Sequence, residues 1–320
     1  MTLDMNRRDF MKTASAATAA GLLAVNSVEA ADKLVPIVDP HQHLWDLKLL
    51  KLPWLSGDNV QSINRDFLMK DYLEATKNVN VVKTVFMEVN VEESYQEKEA
   101  DWVIEMCKAD DNPMAGAVIG GYPHSDKFPD YVKKYAKNDY IKGIRTVLHD
   151  PDRKKGLCLE PKFVENIQLL GELGLSFDLC MRPDELLDGV KLAEKCPKTR
   201  FVVDHCGNMS VTSKDKKLRK KWRQGIKAAA GMENMVCKIS GIIVTADKDW
   251  KASDLATNMS FCMDKFGEDR AYFAGDWPVC RLKATFEQWV NALKEITKDK
   301  SPGFRRKLFH DNAVKFYGLS

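Results

Sequence analysis

Eight short apolar runs, each followed by a longer amphipathic stretch, limit what this 320-residue chain can fold into. The runs are residues 37–41, 82–89, 116–121, 141–148, 175–181, 201–205, 235–240 and 271–276, and all read as strands. Helical patterns fill most of the gaps, at 96–108, 129–136, 161–173, 183–195, 218–230, 254–266 and 285–298. Leu186, Val190 and Ala193, for example, have the spacing of a helix lying on a sheet. Strands that alternate with helices pair in parallel, and eight such units predict an α/β chain closed as a single (β/α)8 TIM barrel. A doubly wound open sheet is the alternative. It loses support because no G-x-G-x-x-G follows the first strand and no P-loop is present. The stretch 44–70 reads as a long loop over the barrel mouth rather than a separate domain.

The first thirty residues stand apart from this pattern. Asn6-Arg7-Arg8-Asp9-Phe10-Met11-Lys12 precedes a weakly apolar run, Thr13 to Val25, and then Val28-Glu29-Ala30. That is the order of a charged region, an apolar region and a small-residue cleavage site, and the paired arginines resemble a twin-arginine (Tat) export signal. The apolar run is shorter than the roughly 20 residues needed to span a bilayer. The expected division is therefore residues 1–30 as a signal peptide and 31–320 as one catalytic domain. The Tat machinery would be a partner, the periplasm the destination, and stable membrane insertion is not expected.

A net charge of +3 is too small to argue for nucleic acid. The densest basic run, Lys214 to Lys227, reads as the solvated face of a helix with Leu218, Trp222 and Ile226 on its buried side. None of the eight cysteines forms a C-x-x-C pair, and several lie in or beside strand-like runs, so mostly free thiols are expected.

Catalytic groups of such barrels sit at the C-terminal ends of the strands. His41 and His43 end the first strand and, two apart, face the same way, which suits a metal site or a proton-transfer site. Glu88 and Asn90 follow the second strand, and Arg145 lies near the end of the fourth. Asp178 lies in the fifth, Asp204, His205 and Asn208 close the sixth, Ser240 the seventh and Asp276 the eighth. So many polar groups at strand ends must each be solvated or paired, which is wasteful in a purely structural protein.

With these positions in place, the chain resembles the amidohydrolase superfamily, and more narrowly its amidohydrolase-2 branch of sugar lactonases and pyrone-dicarboxylate lactonases. His41-x-His43, Asp204-His205-Cys206-Gly207 and Gly275-Asp276-Trp277-Pro278 carry the likeness. Leu52-Pro53-Trp54-Leu55, Gly143-Ile144-Arg145, Lys238-Ile239-Ser240-Gly241 and the tail Asn312 to Gly318 extend it over essentially the whole of 36–319. No lysine stands out at the end of the fourth strand and no histidine ends the fifth, so the resemblance implies at most one metal rather than two.

What the resemblance implies is a hydrolase opening an aldonolactone or related cyclic ester. Asp276 would be the general base, with His205 polarising the carbonyl or binding metal. His41, His43, His205 and Asp276 would hold one Zn²⁺ or Mn²⁺; without metal, the imidazoles would donate to the developing oxyanion. Arg145, Glu88, Asp178 and Trp45 are the expected substrate contacts. Arg145 has an internal salt bridge with Glu88 or Asp178 as its competing reading. A metal-dependent decarboxylase and a non-catalytic ligand-binding barrel are the alternative functions. The partner is a small-molecule substrate, and a homo-oligomer stays open.

Overall fold

Parallel pairing runs in unbroken chain order through the eight strands of the computed structural model, which describes residues 35–319. The proposed signal peptide and its cleavage site lie outside those residues. The strands are β1 (Ile37–Gln42), β2 (Val81–Met87), β3 (Met114–Gly120), β4 (Ile141–Val147), β5 (Ser176–Cys180), β6 (Arg200–Val203), β7 (Met235–Ile239) and β8 (Ala271–Phe273). A bridge between Gln42 and Trp277, beside a hydrogen bond from His43 N to Trp277 O of 2.7 Å, brings the last strand's end back to the first. The result is the expected (β/α)8 barrel, nearly closed.

Helices α1 (Met69–Thr76), α2 (Gln96–Lys108), α3 (Phe128–Tyr135), α4 (Pro161–Glu172), α5 (Leu186–Lys195), α6 (Lys216–Ala230), α7 (Ala252–Phe266) and α8 (Phe286–Ile296) form the outer ring. Two short helices, α9 (Pro302–Arg306) and α10 (Asn312–Tyr317), follow. Local chemistry sets several starts. Thr285 and Gln288 cap α8 reciprocally, Asp215 accepts from two backbone N–H groups at the start of α6, and Pro161 opens α4. Trp222 and Ile226 of α6 are fully buried beneath its basic face. Among the described residues, no helix is long and apolar enough to cross a membrane. All eight cysteines are buried and free.

Strand alternation divides the core. Phe86, Ile144, Phe177, Phe201, Ile239 and Phe273 belong to the large cluster beneath the helices. Val38, Val85, Met87, Val118, Val202 and Tyr272 form a second cluster that plugs the barrel, closed by Ala313, Tyr317 and Leu319. Above this plug the inner positions change character to Arg145, Asp178, Asp204 and Lys238, all buried.

Three strands stop two or more residues earlier than their apolar runs predict, β2 at Met87 among them. β6 ends at Val203 and β8 at Phe273, because His205 (φ +52°), Cys206 (φ +53°) and Asp276 (φ +52°) turn into the left-handed region. Asn90 and Asn208 do the same. Left-handed backbone is costly for residues other than glycine and persists where the surroundings over-determine it. Here all five lie at strand ends on one face of the barrel.

Candidate active site

β1 delivers His41 and His43 to that face. Asp39 anchors the strand by accepting hydrogen bonds from Gly275 N (2.7 Å), the Tyr72 hydroxyl (2.9 Å) and His41 N (3.1 Å). Gly275 has no room for a side chain, since a Cβ there would overlap the Asp39 carboxylate. This close approach fixes the start of the β8 loop, and Asp276 follows directly. Its Oδ1 lies 3.3 Å from His43 Nε2 and 3.6 Å from His41 Nε2.

His43 Nδ1 lies 2.9 Å from the Met87 carbonyl, which can only accept, so Nδ1 carries the proton. In the neutral ring, Nε2 is therefore a bare acceptor facing a carboxylate oxygen. His205 Nδ1 meets Ser240 Oγ at 2.9 Å, and the His41 and His205 rings are 4.5 Å apart. Gly241 (φ +67°) permits this, because a Cβ would run into the His205 ring. The ligand atoms of His41, His205 and Asp276 all lie within 4.8 Å of one another.

Below the histidines lies a charged layer. Lys238 Nζ bonds Asp178 Oδ2 at 2.5 Å and approaches Asp204 Oδ1 at 3.3 Å and His41 Nδ1 at 3.3 Å. Arg145 donates from Nε to Glu88 Oε1 (2.5 Å) and from Nη2 to Glu88 O (2.7 Å), and its Nη1 lies 3.1 Å from His41 Nε2. Burial, then Lys238 and the neighbouring rings, hold the His41 imidazole well below its ordinary pKa. Burial lowers His205 as well, against the pull of Asp276 and Asp204. Both rings are neutral at neutral pH. Burial lifts Asp178 to about 7 despite Lys238. For Asp204 burial acts the same way, but Lys238, His205 and Arg145 outweigh it and the pKa is lowered.

A cavity of about 820 Å³ opens above this layer. His43, Arg145, His205 and Asp276 form its polar floor, with Cys180 and His149 beside them. Pro53, Trp54, Asn59 and Val60 wall it from the long β1–β2 connection, which covers the mouth as expected.

Three expected substrate contacts are not on that wall. Trp45 is fully buried, with Nε1 donating to Arg65 O (2.6 Å) and its ring edge-on to Trp54 and Phe67. Trp54, half-buried, lines the cavity instead. Asp178 is sealed beneath the histidines by Lys238, and Glu88 is turned aside to hold Arg145. Arg145 reaches the cavity but has all three nitrogens engaged by protein, the internal pairing weighed from sequence.

Lys238 and Asp204 were quoted in motifs without being assigned a role. A lysine inside an apolar strand run, period-matched to inward Ser240, was the available signal for Lys238. His149 and Cys180 became neighbours only through the adjacency of β4 and β5.

A family model described as Amidohydrolase matches residues 38–319, and one for the TAT (twin-arginine translocation) pathway signal sequence matches residues 4–24. The protein is thus a Tat-exported, periplasmic one. The uncharacterized protein y4mH of Sinorhizobium fredii is 30% identical over 303 residues, covering 88% of this chain and 98% of that protein. An L-fucono-1,5-lactonase of Burkholderia multivorans is 23% identical over 292 residues, covering 88% and 96%. The crystal structure of an amidohydrolase from Burkholderia multivorans with bound zinc superposes with a TM-score of 0.79 at 21% identity, covering 89% of this chain and 99% of that one.

Proposed function

The chain belongs to the amidohydrolase family, and from the groups gathered at its barrel mouth we propose that it is a hydrolase that opens a lactone, an aldonolactone or a related cyclic ester. The lactonase among its relatives supports the reaction class. The observation that carries the chemistry is Asp276, 3.3 Å from the His43 Nε2 on the floor of a ligand-sized cavity, with the buried His41 Nε2 3.6 Å away. The mature enzyme in this reading begins at Ala31 and is one catalytic domain.

Ester hydrolysis needs an activated water, a stabilised oxyanion and a proton for the leaving alkoxide. Asp276 takes the proton of the attacking water and returns it to the ring oxygen as the C–O bond breaks. Without a metal, His205 supplies the polarising contact. If Nδ1 accepts from the Ser240 hydroxyl, Nε2–H is left to donate to the oxyanion. Arg145, locked by Glu88, adds a fixed positive charge beneath the same point.

The donor set fits one divalent metal. His43 Nε2 and Asp276 Oδ1 are both acceptors in the neutral-ring state, and 3.3 Å between them calls for a proton or a cation. Ligands about 2.0–2.1 Å from a tetrahedral ion stand about 3.4 Å apart, close to the 3.3 and 3.6 Å seen here. His41, His43, His205 and Asp276 would hold Zn²⁺ or Mn²⁺, and the ion would lower the pKa of a bound water and polarise the carbonyl. The zinc in the Burkholderia multivorans neighbour is consistent with this.

The test is proton release in weak buffer by the purified exported protein across aldonolactones and pyrone lactones, with metal content measured and chelator added in parallel. Turnover that disappears in Asp276→Asn is expected. A folded protein inert toward every lactone would remove the proposal.

A further inference from the structure

A second group of donors overlaps the mouth. The ligand atoms of Cys180, Asp204 and His205 also lie within 4.8 Å of one another. Cys180 ends β5 facing inward and lines the cavity, and its Sγ stands 3.4 Å from His149 Nδ1 at the exposed rim. Asp204 is completely buried, and neither carboxylate oxygen has a hydrogen-bond partner of proper geometry. Its contacts are to Lys238 Nζ at 3.3 Å and to Arg145 Nη1 and His41 Nδ1, each at 3.7 Å.

We propose that Cys180, His205 and Asp204, with His149 holding the thiol from the rim, form a binding site for one soft or borderline divalent cation such as Cd²⁺ or Co²⁺, distinct from the Asp276 donor set but sharing His205 with it.

Charge favours the site. Glu88, Asp204 and Asp276, with Asp178 lifted to about 7 by burial, surround two fixed cations, Arg145 and Lys238. Binding is a proton exchange without redox chemistry: the S–H bond of Cys180 breaks, a sulfur–metal bond forms and the proton leaves to solvent. Burial holds the thiol protonated until then, and a coordinating ion removes the proton outright.

Thiolate selects softer ions over Mn²⁺ and Mg²⁺, so the ion's identity decides between the two donor sets. An ion on Cys180 takes His205 away from the mouth, so soft ions inhibit any chemistry run there, and chelator reverses the inhibition.

The experiment is optical and independent of the lactonase reading. The exported protein, stripped with chelator, is titrated with Co²⁺ and Cd²⁺ while the near-ultraviolet sulfur-to-metal charge-transfer band is followed. One equivalent should saturate the band in the natural protein, and Cys180→Ser should lose it. Excess Mn²⁺ should leave it in place. His149→Ala, at an exposed position that the fold tolerates, should weaken the apparent affinity by at least about tenfold. That variant carries the test should Cys180→Ser fail to fold. Metal binding without a sulfur band, a band that persists in Cys180→Ser, or unchanged affinity in His149→Ala would each overturn the proposal.

Discussion

The two ends of the barrel interior solve the same packing problem with opposite materials. At the base, Val38, Val85, Met87, Val118, Val202 and Tyr272 fill the space with apolar surface under the α10 segment. One strand turn higher, Arg145, Asp178, Asp204 and Lys238 occupy equally buried positions and must satisfy one another. The base stabilises by burial at about 25 cal/mol per Å² of apolar surface. The charged layer gains little net stability, because desolvation offsets Coulomb attraction. Its value lies in holding His41 between Lys238 and Arg145 and in fixing the field at the mouth. Left-handed backbone at His205, Cys206 and Asp276 belongs to the same upper end. Stability is built at one end, and part of it is given up at the other for position and charge.

The largest expected effect tests the upper end alone. Asp276→Asn removes the proton acceptor while keeping the shape of the side chain, and general-base loss is worth about 10²–10⁴-fold in rate. Lactone turnover should fall by that factor while the melting temperature stays close to that of the natural protein. An unfolded Asp276→Asn would mean the residue is a structural support instead.

Lys238→Met comes next and tests whether the charged layer is mutually dependent. Removing Lys238 leaves Asp178 without its cation and Asp204 with Arg145 alone in a buried site, which costs about 3–5 kcal/mol. Adding Asp178→Asn to that variant should restore part of the loss in urea unfolding. Additive losses would show that the two residues do not act as a pair.

Much of this division was legible in the sequence, for identifiable reasons. Short apolar runs between amphipathic stretches mark the strands, and α2 falls at its expected limits because its apolar spacing is regular. His41, His43, His205 and Asp276 were legible because they sit where strand runs break. The strands end two or three residues sooner than their runs at β2, β6 and β8; at the last two, left-handed turns depend on packing by Gly241 and Asp39 that no local pattern encodes. Trp45 and Trp54 exchanged roles for a similar reason. Which of two indoles meets the cavity is settled by the pairing of Trp45 with Phe67 across a bridge between distant residues. Buried Lys238 is tertiary information of the same kind.

At the base, Val202→Ala should cost about 2 kcal/mol through lost burial and a residual cavity, and leave kcat and KM for the lactone unchanged. Unfolding and turnover measured on one preparation decide the matter. A fall in kcat larger than threefold would mean the plug transmits strain to the charged layer, and the two ends would no longer be separable.

The most gradual effect concerns the seam between the barrel and its outer ring. Glu99 on α2 is fully buried, accepts from Val89 N at 2.8 Å through Oε1, and lies behind the Glu88–Arg145 pair. Burial, with Glu88 adding to it, lifts its pKa from 4.5 to about 8. The folded chain therefore keeps a proton that the unfolded chain has lost throughout the window from 4.5 to 8. More protons are bound in the folded state there, so this group's contribution is fully present below 4.5, declines as pH rises and is lost above 8. Glu99→Gln keeps the shape without the titration. The stability of the variant relative to the natural protein should thus rise between pH 5.5 and 8, by at most about 1.4 kcal/mol per pH unit for one proton. Histidines and other carboxylates titrate in both chains and cancel in the difference. Parallel stability curves would mean that Glu99 is ionised in the fold, and that the charged layer extends outward through the barrel wall instead of ending at Glu88.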